Sequence, residues 1–411
     1  MSTPAPLTDL HWLVSAAAEP WLARAAELAV DPLAAVSTLR RDLSAERTHL
    51  VLQQVDLRHR AKNKFTAANR MFFTPVGLQQ ATDEIVAQYK ALRFVEVDRV
   101  ADLCCGIGGD LLALAVDHPA VGVDRDPAVC VIAEANAAAY DCPGATVVSA
   151  DVTEFPLDEY VAWHLDPDRR PAGRRTTRVE LHEPSVDAMN TMLDHGGDAA
   201  IKLAPAAVLP DTWEQTAELQ WISRRRECRQ LVGWFGRLAQ HPGKRTASVL
   251  TTSIGEAPAT EVRTVIGEAD VEIPVAPIGR YLFEPDAAVL AAHLSGALAA
   301  EHDLAAVSTS FGYLTGDHPI TDDALVGFEV WEVLPYHVGR VKELLRQRNI
   351  GRLEVKKRDV PLDPDQVRRQ VRVPGDQSAT LLLTQVQGKT TAILAERIMA
   401  SNRQPDPSRK K

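Results

Sequence analysis

Hydrophobic and polar positions follow different periods in successive parts of the chain. Up to about residue 65, apolar residues recur every three or four positions, with acidic residues early and basic residues late, which predicts helices. Thr74 before Pro75 fits an N-cap and a first helical position, and the predicted helix runs to about Leu92. From Arg99 to Thr252, short apolar stretches alternate with helical ones. This alternation predicts a doubly wound α/β sheet.

The strands of that sheet are predicted from apolar stretches bounded by polar or glycine residues. The predicted strands are "RVADLC", "AVGVD", "ATVVSA", "VAWHLD", "AAIKLA", "ELQWIS" and "TASVLT", followed by "VRTVIG" and "VEIPVA" as additional strands. The basic stretch "WISRRRECRQ" offers Arg224, Arg225 and Arg226 as further candidates for phosphate contacts, but a helix surface explains these arginines equally well.

The remaining pattern predicts a helical connector and then a small α+β module. "PDAAVLAAHLSGALAAEH" is predicted as one helix. From Val326 the order is strand, helix, strand, helix and a hairpin around Gln387-Gly388, in a split βαβ style. The predicted organisation is a helical region over 1–92, a sheet domain over 93–280, the connector over 281–325, the α+β module over 326–400 and a disordered tail over 401–411.

Composition narrows the class of protein. The chain has 411 residues, 45% hydrophobic and 24% charged, close to an ordinary globular protein and long enough for two or three domains. No stretch has the roughly 18 uninterrupted apolar residues of a membrane helix, and the N-terminus lacks the basic start of a signal peptide. We therefore expect a cytoplasmic protein that does not contact a membrane.

The five cysteines do not form a C-x-x-C pair, so the sequence supports neither a zinc site nor a dithiol motif. We predict no bound metal. Cys104 and Cys105 could in principle be reactive, but small side chains filling a tight turn are the favoured interpretation.

Charge is distributed unevenly along the chain. The net charge of −10 argues against a protein that coats nucleic acid with its whole surface. From Val326 to Lys411, however, there are 17 Lys and Arg residues against 10 Asp and Glu residues, whereas the preceding residues contain 28 and 45. This asymmetry indicates a basic module at the end of an acidic body.

A glycine-rich turn follows the first predicted strand, in "VADLCCGIGGDLLALA" from Val100 to Ala115. The dinucleotide fingerprint would need a third glycine where Leu111 stands, and the G-K-[ST] of a triphosphate loop is absent. Asp102 and Asp110 flank the turn and would repel a pyrophosphate. They suit a ligand with positive charge and no phosphate, which S-adenosylmethionine provides through its ammonium and sulfonium groups.

Two further acids end the next two strands. Asp124, in "AVGVDRD", lies where it can accept both ribose hydroxyls, and Asp151, in "VVSADVTEF", lies where it can accept an adenine amino group beside Val152. In the turn, Gly106, Gly108 and Gly109 allow close approach of the backbone. The predicted cofactor-binding residues are Asp102, Cys104, Gly106, Gly108, Gly109, Asp124, Arg125, Asp151 and Val152.

The motifs "FFTPVG", "DLCCGIGGD" and "VGVDRDP" make the stretch from about Asn69 to Thr252 resemble a class I, Rossmann-like S-adenosylmethionine-dependent methyltransferase, in particular the RNA cap guanine-N2 methyltransferases and their bacterial relatives. The C-terminal module resembles the THUMP-like domain through "FEVWEVLPYH" and "LEVKKRDV". Together the two resemblances cover most of the chain. They imply S-adenosylmethionine as cofactor and RNA, either tRNA or rRNA, as partner.

The acceptor corner is expected at "HLDPDRR", after the fourth strand. Amino-group methyltransferases usually have Asp or Asn, then Pro-Pro and an aromatic residue here. Asp166 and Pro167 match that pattern and are the predicted catalytic residues, whereas Asp168 and Arg169 depart from it. The departure puts in doubt whether the acceptor is the amine of a base.

Basic side chains and one aromatic side chain are predicted to contact the substrate. Arginines beside the acceptor corner suit phosphates, Phe73 is a candidate for base stacking, and three basic residues of the C-terminal module suit RNA. These residues are Phe73, Arg169, Arg170, Arg174, Lys356, Lys357 and Arg358. Two alternatives remain open: a methyltransferase of small molecules or proteins, and a non-catalytic RNA-binding protein that retains the fold. The sequence leaves the oligomeric state and the methylated atom undetermined.

Overall fold

The structure is a computed structural model that describes residues 6–169, 176–252, 260–310 and 312–398. The chain divides into two compact units, the first made of Met1–Leu219 with Gln230–Gly243 and the second of Gln220–Arg229 with Lys244–Lys411. Among the described helices, none combines the length and apolar character that crossing a membrane requires. The boundaries predicted at residues 92, 280 and 325 stay a prediction.

The sheet of the first unit has the predicted α/β character. Its five parallel strands are β1 (Val100–Leu103), β2 (Ala120–Asp124), β3 (Ala145–Ser149), β4 (Ala162–Leu165) and β5 (Asp198–Leu203). They pair in the order β3-β2-β1-β4-β5, so the chain direction across the sheet reverses between β1 and β4. Ligands of doubly wound folds bind beyond the carboxyl ends of the strands at such a reversal.

Helices connect and cover these strands. After β1 the chain forms α7 (Leu111–Leu114), after β2 α8 (Pro127–Ala139), after β4 α9 (Val186–Asp194) and after β5 α10 (Asp211–Thr216). The N-terminal part forms α1 (Leu7–Leu13), α2 (Glu19–Glu27), α3 (Pro32–Leu39), α4 (Ala45–Ala61), α5 (Pro75–Gln80) and α6 (Glu84–Ala91).

The helix predicted from Thr74 to Leu92 is two helices. Its start is confirmed, because the Thr74 hydroxyl accepts a hydrogen bond from Gly77 N at 2.8 Å. The first helix ends at Gln80, because the backbone of Ala81 is extended (ψ 138°). Asp83 caps a new helix by accepting a hydrogen bond from Ile85 N at 3.2 Å. The break places Thr82 beside the glycine-rich turn, where it contributes to the site described below.

The N-terminal helices share a hydrophobic core with the sheet part of the first unit. Buried Leu10 of α1 and Val51 and Leu57 of α4 belong to one cluster with Ile107 of the glycine-rich turn and Ile132 of α8. Burial of such side chains stabilises the fold by about 1.5–3 kcal/mol each. The helices thus form one wall of the space above the carboxyl ends of the strands.

A strand that was not predicted follows β6 (Glu218–Arg224). It is β7 (Glu227–Phe235), so the helix surface considered for this stretch is wrong. Arg225 and Arg226 form the intervening turn with φ of 54° and 64°, the left-handed conformation that two-residue hairpin turns require. The turn lacks the Asn-Gly or Asp-Gly signal that usually reveals such hairpins. Within the first unit, β7 pairs antiparallel with β5 from Leu231 to Phe235.

The second unit contains β8 (Arg245–Thr252) paired antiparallel with β9 (Thr260–Gly267), and a separate seven-stranded sheet. The predicted strand "VEIPVA" is wrong, since the structure shows there only an isolated bridge from Val275 to Ala306. The single helix predicted over residues 285–302 is also wrong. It is α11 (Ala287–Ala291) and α12 (Ser295–Glu301), separated at His293, which has a φ of 60°.

The seven-stranded sheet has the order β11-β12-β10-β13-β16-β15-β14. Its strands missed in the predicted connector are β10 (Tyr281–Pro285), β11 (Ala305–Ala306) and β12 (Leu314–Gly316). The predicted C-terminal elements are present as β13 (Leu325–Pro335), α13 (Val338–Gln347), β14 (Ile350–Lys357), α14 (Pro364–Val371), β15 (Gln377–Val386) and β16 (Lys389–Arg397). The predicted hairpin is confirmed, with Gln387 and Gly388 at φ of 48° and 74°.

Candidate cofactor and acceptor site

A cavity of about 1480 Å³ lies in the first unit, beyond the carboxyl ends of β1, β2 and β4. Residues following each of these strands line it, as do side chains of α1 and α4. Most of the charged lining residues are acidic: Glu46, Asp102, Asp110, Asp124, Asp126, Asp151, Asp166, Asp168, Glu180 and Glu183. The structure thereby brings together all the predicted acidic site residues at the edge where the strand order reverses.

The glycine-rich turn has the backbone geometry that glycine permits. Gly106 and Gly108 have φ of 55° and 87°, in the left-handed region. A Cβ on Gly106 would meet nothing within 4 Å, so this residue leaves open space in the cavity wall. A Cβ on Gly109 would lie 3.3 Å from the backbone N and O of Thr82. Glycine is therefore required here for conformation and for close packing.

Asp124 is held in one orientation at the end of β2. Its Oδ2 accepts from Gly106 N and its Oδ1 from Asp126 N, each at 3.0 Å. Burial raises the pKa of Asp124, although these two backbone N–H groups oppose the shift. A carboxylate oriented by its backbone and facing a cavity is suited to accept hydroxyl groups of a ligand through its remaining lone pairs.

Asp151 and Val152 follow β3 and also line the cavity. The Oδ1 of Asp151 accepts from Thr153 N at 2.9 Å and from the Thr153 hydroxyl at 2.7 Å, and these bonds lower the pKa of Asp151. Val152 is buried beside it. An ionised acceptor next to an apolar side chain matches the chemistry of a flat base with an amino group.

Arg125, predicted to contact the cofactor, forms a bidentate pair with Glu183. The two N–O distances are 2.7 and 2.9 Å, and this pairing raises the pKa of Arg125. Both residues line the cavity. The pair fastens the segment after the acceptor corner to the end of β2, and a direct contact of Arg125 with a cofactor stays a prediction.

Asp166 and Pro167 line the cavity directly after β4. Asp166 N donates to Leu103 O at 3.1 Å, and its Oδ2 accepts from Lys202 Nζ at 2.5 Å. Its carboxylate is 24% exposed. The backbone of Asp168 pairs with that of Glu183 at 2.8 and 3.0 Å, which fixes the corner. Asp166 thus presents to the cavity a carboxylate oxygen that is held in place and can accept a hydrogen bond.

The other predicted substrate residues are distributed differently. Arg169 lines the cavity, whereas Arg170 and Arg174 lie outside the described residues. Phe73 is buried in the cavity wall, with its ring 5.9 Å from that of Phe65, so only part of its surface faces the cavity. Its role in stacking a base stays a prediction.

The three basic residues predicted to hold RNA belong to the second unit. Lys356 Nζ and Arg358 Nη2 lie 2.6 and 3.3 Å from the carboxylate of buried Glu284. Lys357 Nζ donates to Val360 O at 3.2 Å. All three side chains have partners within this unit, so RNA contacts would have to share them, and the prediction remains to be tested.

A network of buried charged side chains lies beneath the cavity. Lys90 of α6 is 2% exposed, and its Nζ is 2.7 Å from Asp110 Oδ1 and 3.0 Å from His164 Nε2. Because an ammonium group can only donate, His164 Nε2 accepts, and His164 Nδ1 therefore carries the hydrogen donated to Asp102 Oδ1 at 2.7 Å. The network connects α6 with the ends of β1 and β4.

Asp110 has more partners than the sequence indicated. Lys90 is one, Lys202 Nζ is 3.9 Å from its Oδ2, and the Thr82 hydroxyl donates to that oxygen at 2.6 Å. Burial would raise the pKa of Asp110, but the ammonium groups of Lys90 and Lys202 outweigh burial and hold the pKa below its ordinary value. Two lysines thus already neutralise Asp110, so the expectation that this carboxylate attracts a cationic ligand is wrong.

Asp102, unlike Asp110, has a carboxylate oxygen that could bind a cationic ligand. Its Oδ2 is buried and lacks a hydrogen-bond partner in the part of the chain that the structure describes. Burial raises the pKa of Asp102 against the opposing hydrogen bond from His164. An unpartnered carboxylate oxygen, an open glycine turn and the oriented Asp124 fit a ligand with a cationic amine and a sugar, which is the chemistry of S-adenosylmethionine.

The adjacent cysteines behave as small packing residues. Burial raises the pKa of Cys104 and of Cys105 well above the usual range, which keeps both thiols protonated near neutral pH. Cys105 Sγ would lie 3.0 Å from a Cβ placed on Gly122, so the thiol fills a tight space. Reactive cysteine chemistry is not favoured at this turn.

Sequence analysis missed Lys90, His164 and Lys202 as site residues. A signal existed for two of them, since His164 and Lys202 interrupt the otherwise apolar strands "VAWHL" and "AAIKLA". A titratable side chain in a strand buried on both faces needs a partner. Lys90 has no such signal, because a lysine on a helix is ordinarily exposed.

Comparisons with known proteins identify the C-terminal domain, two relatives of the chain and a solved structure with the same fold. Residues 326–397 match the family model described as THUMP domain-like. Proteins from Mycobacterium tuberculosis strains CDC 1551 / Oshkosh and ATCC 25618 / H37Rv, each described as an uncharacterized S-adenosylmethionine-dependent methyltransferase, are 31% identical over 354 residues, covering 83% of this chain and 94% of each relative. The crystal structure of a protein assigned as a methyltransferase from Porphyromonas gingivalis W83 has a TM-score of 0.73, with 19% identity, and covers 93% of this chain and 99% of its own.

Proposed function

The chain belongs to the family of S-adenosylmethionine-dependent methyltransferases, and on that premise we propose that it methylates a base in structured RNA, either tRNA or rRNA. The observation that carries the RNA assignment is the THUMP-like domain over residues 326–397, joined in one chain to a methyltransferase. The basic character of this part of the sequence supports the same partner.

We assign the cofactor to the cavity beside the glycine-rich turn. S-adenosylmethionine, when bound, supplies the methyl group. Asp102 Oδ2 would pair with its amine, Asp124 would accept its ribose hydroxyls, and Asp151 would accept the adenine amino group beside Val152. Cys104, Gly106, Gly108 and Gly109 would form the wall of the binding site.

For the acceptor, we assign orientation to Asp166. Its free oxygen would accept a hydrogen bond from the N–H group of the acceptor and so direct the lone pair of that nitrogen toward the methyl group. Such a displacement depends on alignment more than on a strong base. Pro167, buried after Asp166, restricts the backbone at this corner.

The acidic lining bears on how RNA could enter. Carboxylates along the cavity would repel phosphates, so a single neutral base would enter while its phosphates stay outside, near Arg169. The same lining favours a second candidate, a small molecule or protein that carries positive charge beside its methyl acceptor. The two differ in a measurable way, because only the first requires RNA for turnover.

Replacing Asp124 with alanine should weaken the affinity for S-adenosylhomocysteine by about 10- to 100-fold, since charge-assisted hydrogen bonds to the ribose contribute about 1.5–3 kcal/mol. Isothermal titration calorimetry measures this change. Asp158→Ala, which removes an exposed carboxylate elsewhere in the first unit, is the control and should bind normally. Because the pKa of Asp124 is raised, its carboxylate takes up a proton at a higher pH than an ordinary aspartate does. As the pH is lowered, the affinity for S-adenosylhomocysteine should therefore begin to fall at that higher pH. Unchanged affinity of the Asp124→Ala protein would contradict the ribose assignment.

The substrate assignment is tested by nucleoside mass spectrometry of total RNA from cells with and without the gene. We expect one methylated nucleoside to be missing without the gene and to return with the wild-type gene but not with Asp166→Ala. An unchanged nucleoside profile, together with turnover that ignores RNA and removal of residues 326–411, would favour the small-molecule or protein acceptor. RNA binding without any methyl transfer would favour a non-catalytic protein.

A further inference from the structure

We propose that Lys202 is a positioning residue that fixes one oxygen of Asp166 and thereby presents the other oxygen to the acceptor. This inference rests on the proposed role of Asp166 in acceptor orientation. Lys202 would not touch the acceptor or the cofactor. It would act by holding the carboxylate that does.

Strand register brings Lys202 to Asp166. In the parallel pairing of β4 with β5, His164 lies opposite Ala200 and Leu165 opposite Ile201. Continuing this register by one residue places Asp166 beside Lys202, on the face that His164 and Ala200 share. The ion pair is therefore built into two adjacent strands, whose backbones are among the most rigid parts of such a fold.

The ammonium group of Lys202 is held at three points. Its Nζ is 2.5 Å from Asp166 Oδ2, 3.4 Å from Gln80 O and 3.9 Å from Asp110 Oδ2. These partners belong to the end of β4, the end of α5 and the start of α7. The contacts to Asp166 and Gln80 are hydrogen bonds and the one to Asp110 is an ion pair. Because these partners come from three different parts of the first unit, they fix the ammonium, which can in turn fix Asp166.

The burial of the pair is unequal, which matches the proposed division of roles. The Lys202 side chain is 6% exposed, whereas that of Asp166 is 24% exposed and faces the cavity. A solvated aspartate would populate several rotamers and lose alignment. With Oδ2 bound to Lys202, only Oδ1 remains for the acceptor, so the direction of its lone pairs is set before the acceptor arrives.

Lys202→Met tests the proposal, since methionine keeps much of the side-chain volume and removes the charge. We expect the Asp166 carboxylate to change its rotamer in a crystal structure of the variant with S-adenosylhomocysteine. We also expect kcat for methyl transfer to RNA from cells lacking the gene to fall by about 100-fold, while the Kd for S-adenosylhomocysteine stays near the wild-type value. Arg93→Met is the matched control, because it removes another buried ion pair of the first unit, with Glu218, far along the sequence from the corner.

Chemical rescue separates positioning from general stability. The shorter variant Lys202→Ala leaves room for an added alkylammonium ion, and propylammonium chloride should restore part of the lost kcat where sodium chloride does not. The crystallographic result does not need an acceptor. If the wild-type protein fails to methylate RNA, the proposed function is wrong, yet the position of Asp166 still decides the role of Lys202.

Two results for the Lys202→Met protein would overturn the proposal. One is an Asp166 carboxylate that keeps its wild-type position in the Lys202→Met structure. The other is a loss of S-adenosylhomocysteine affinity that accounts for the whole loss of turnover. That result would mean that Lys202 acts on the glycine-rich turn through Asp110 and not on Asp166. A Lys202→Ala protein that propylammonium does not rescue would also count against it.

Discussion

Replacing Asp166 with alanine should lower the rate of methyl transfer by at least about 100-fold, the size of effect seen when one positioned polar group is removed from a reacting centre. The affinity for S-adenosylhomocysteine should change little, because the proposed cofactor contacts come from Asp102, Asp124 and Asp151. Radiolabelled S-adenosylmethionine with RNA from cells lacking the gene measures the rate, and calorimetry measures the affinity. A fall in kcat without a change in the Kd for S-adenosylhomocysteine would identify Asp166 as part of the acceptor side of the cavity.

Two variants make this measurement specific to one carboxylate. Asp166→Asn keeps an oxygen acceptor and the shape of the side chain, so it should retain more activity than the alanine variant. Asp168→Ala removes the side chain two residues further on, while its backbone pairing with Glu183 can persist, and it should have the smaller effect. If Asp168→Ala is inactive and Asp166→Ala is not, the orienting carboxylate is Asp168 and the corner departs from the resemblance in function as well as in sequence.

The carboxylates at the strand ends were predictable because a general rule places them. Parallel strands end at one edge of the sheet. Asp102 lies one residue before the end of β1, Asp124 ends β2 and Asp166 follows β4, and the apolar pattern revealed all three strands. The cavity position of these residues therefore follows from local sequence and one topological rule. The same local rules gave the β14-α14-β15 part of the C-terminal module, where apolar periods are strong and turns are marked.

The partners of these carboxylates could not be predicted in the same way. Lys90 reaches Asp110 and His164 across the packing of a helix on the sheet, and neither sequence distance nor residue type specifies such a contact. The isolated Asp110 therefore looked like a charge offered to the ligand, whereas the fold neutralises it internally. The missed hairpin at Arg225 and Arg226 has a related cause, because the fold there imposes left-handed backbone on residues that do not favour it.

Replacing Lys90 with methionine should lower the free energy of unfolding by about 3–5 kcal/mol near neutral pH, because it leaves the buried carboxylate of Asp110 without its nearest cation. Lys202 at 3.9 Å offsets part of this loss, so the lower end of the range is expected. Urea denaturation followed by intrinsic tryptophan fluorescence, to which buried Trp163 and Trp234 of the first unit contribute, measures the change. Arg60→Met, which breaks an exposed pair with Asp56, should cost less than about 1 kcal/mol.

The pH dependence of this difference separates a charge effect from a packing effect. In the wild-type protein the pKa of Asp110 is held below its ordinary value, so its stabilisation is present above the pKa of an unfolded aspartate and is lost as pH falls through the folded value. Without Lys90, burial raises the pKa of Asp110, and the carboxyl group takes up a proton at a higher pH. The gap in stability between wild type and Lys90→Met should therefore shrink as pH falls from neutral toward 5. A difference in the free energy of unfolding that stays constant over that range would mean that methionine destabilises the fold through packing alone. The charge of Lys90 would then contribute little to holding α6 against the glycine-rich turn.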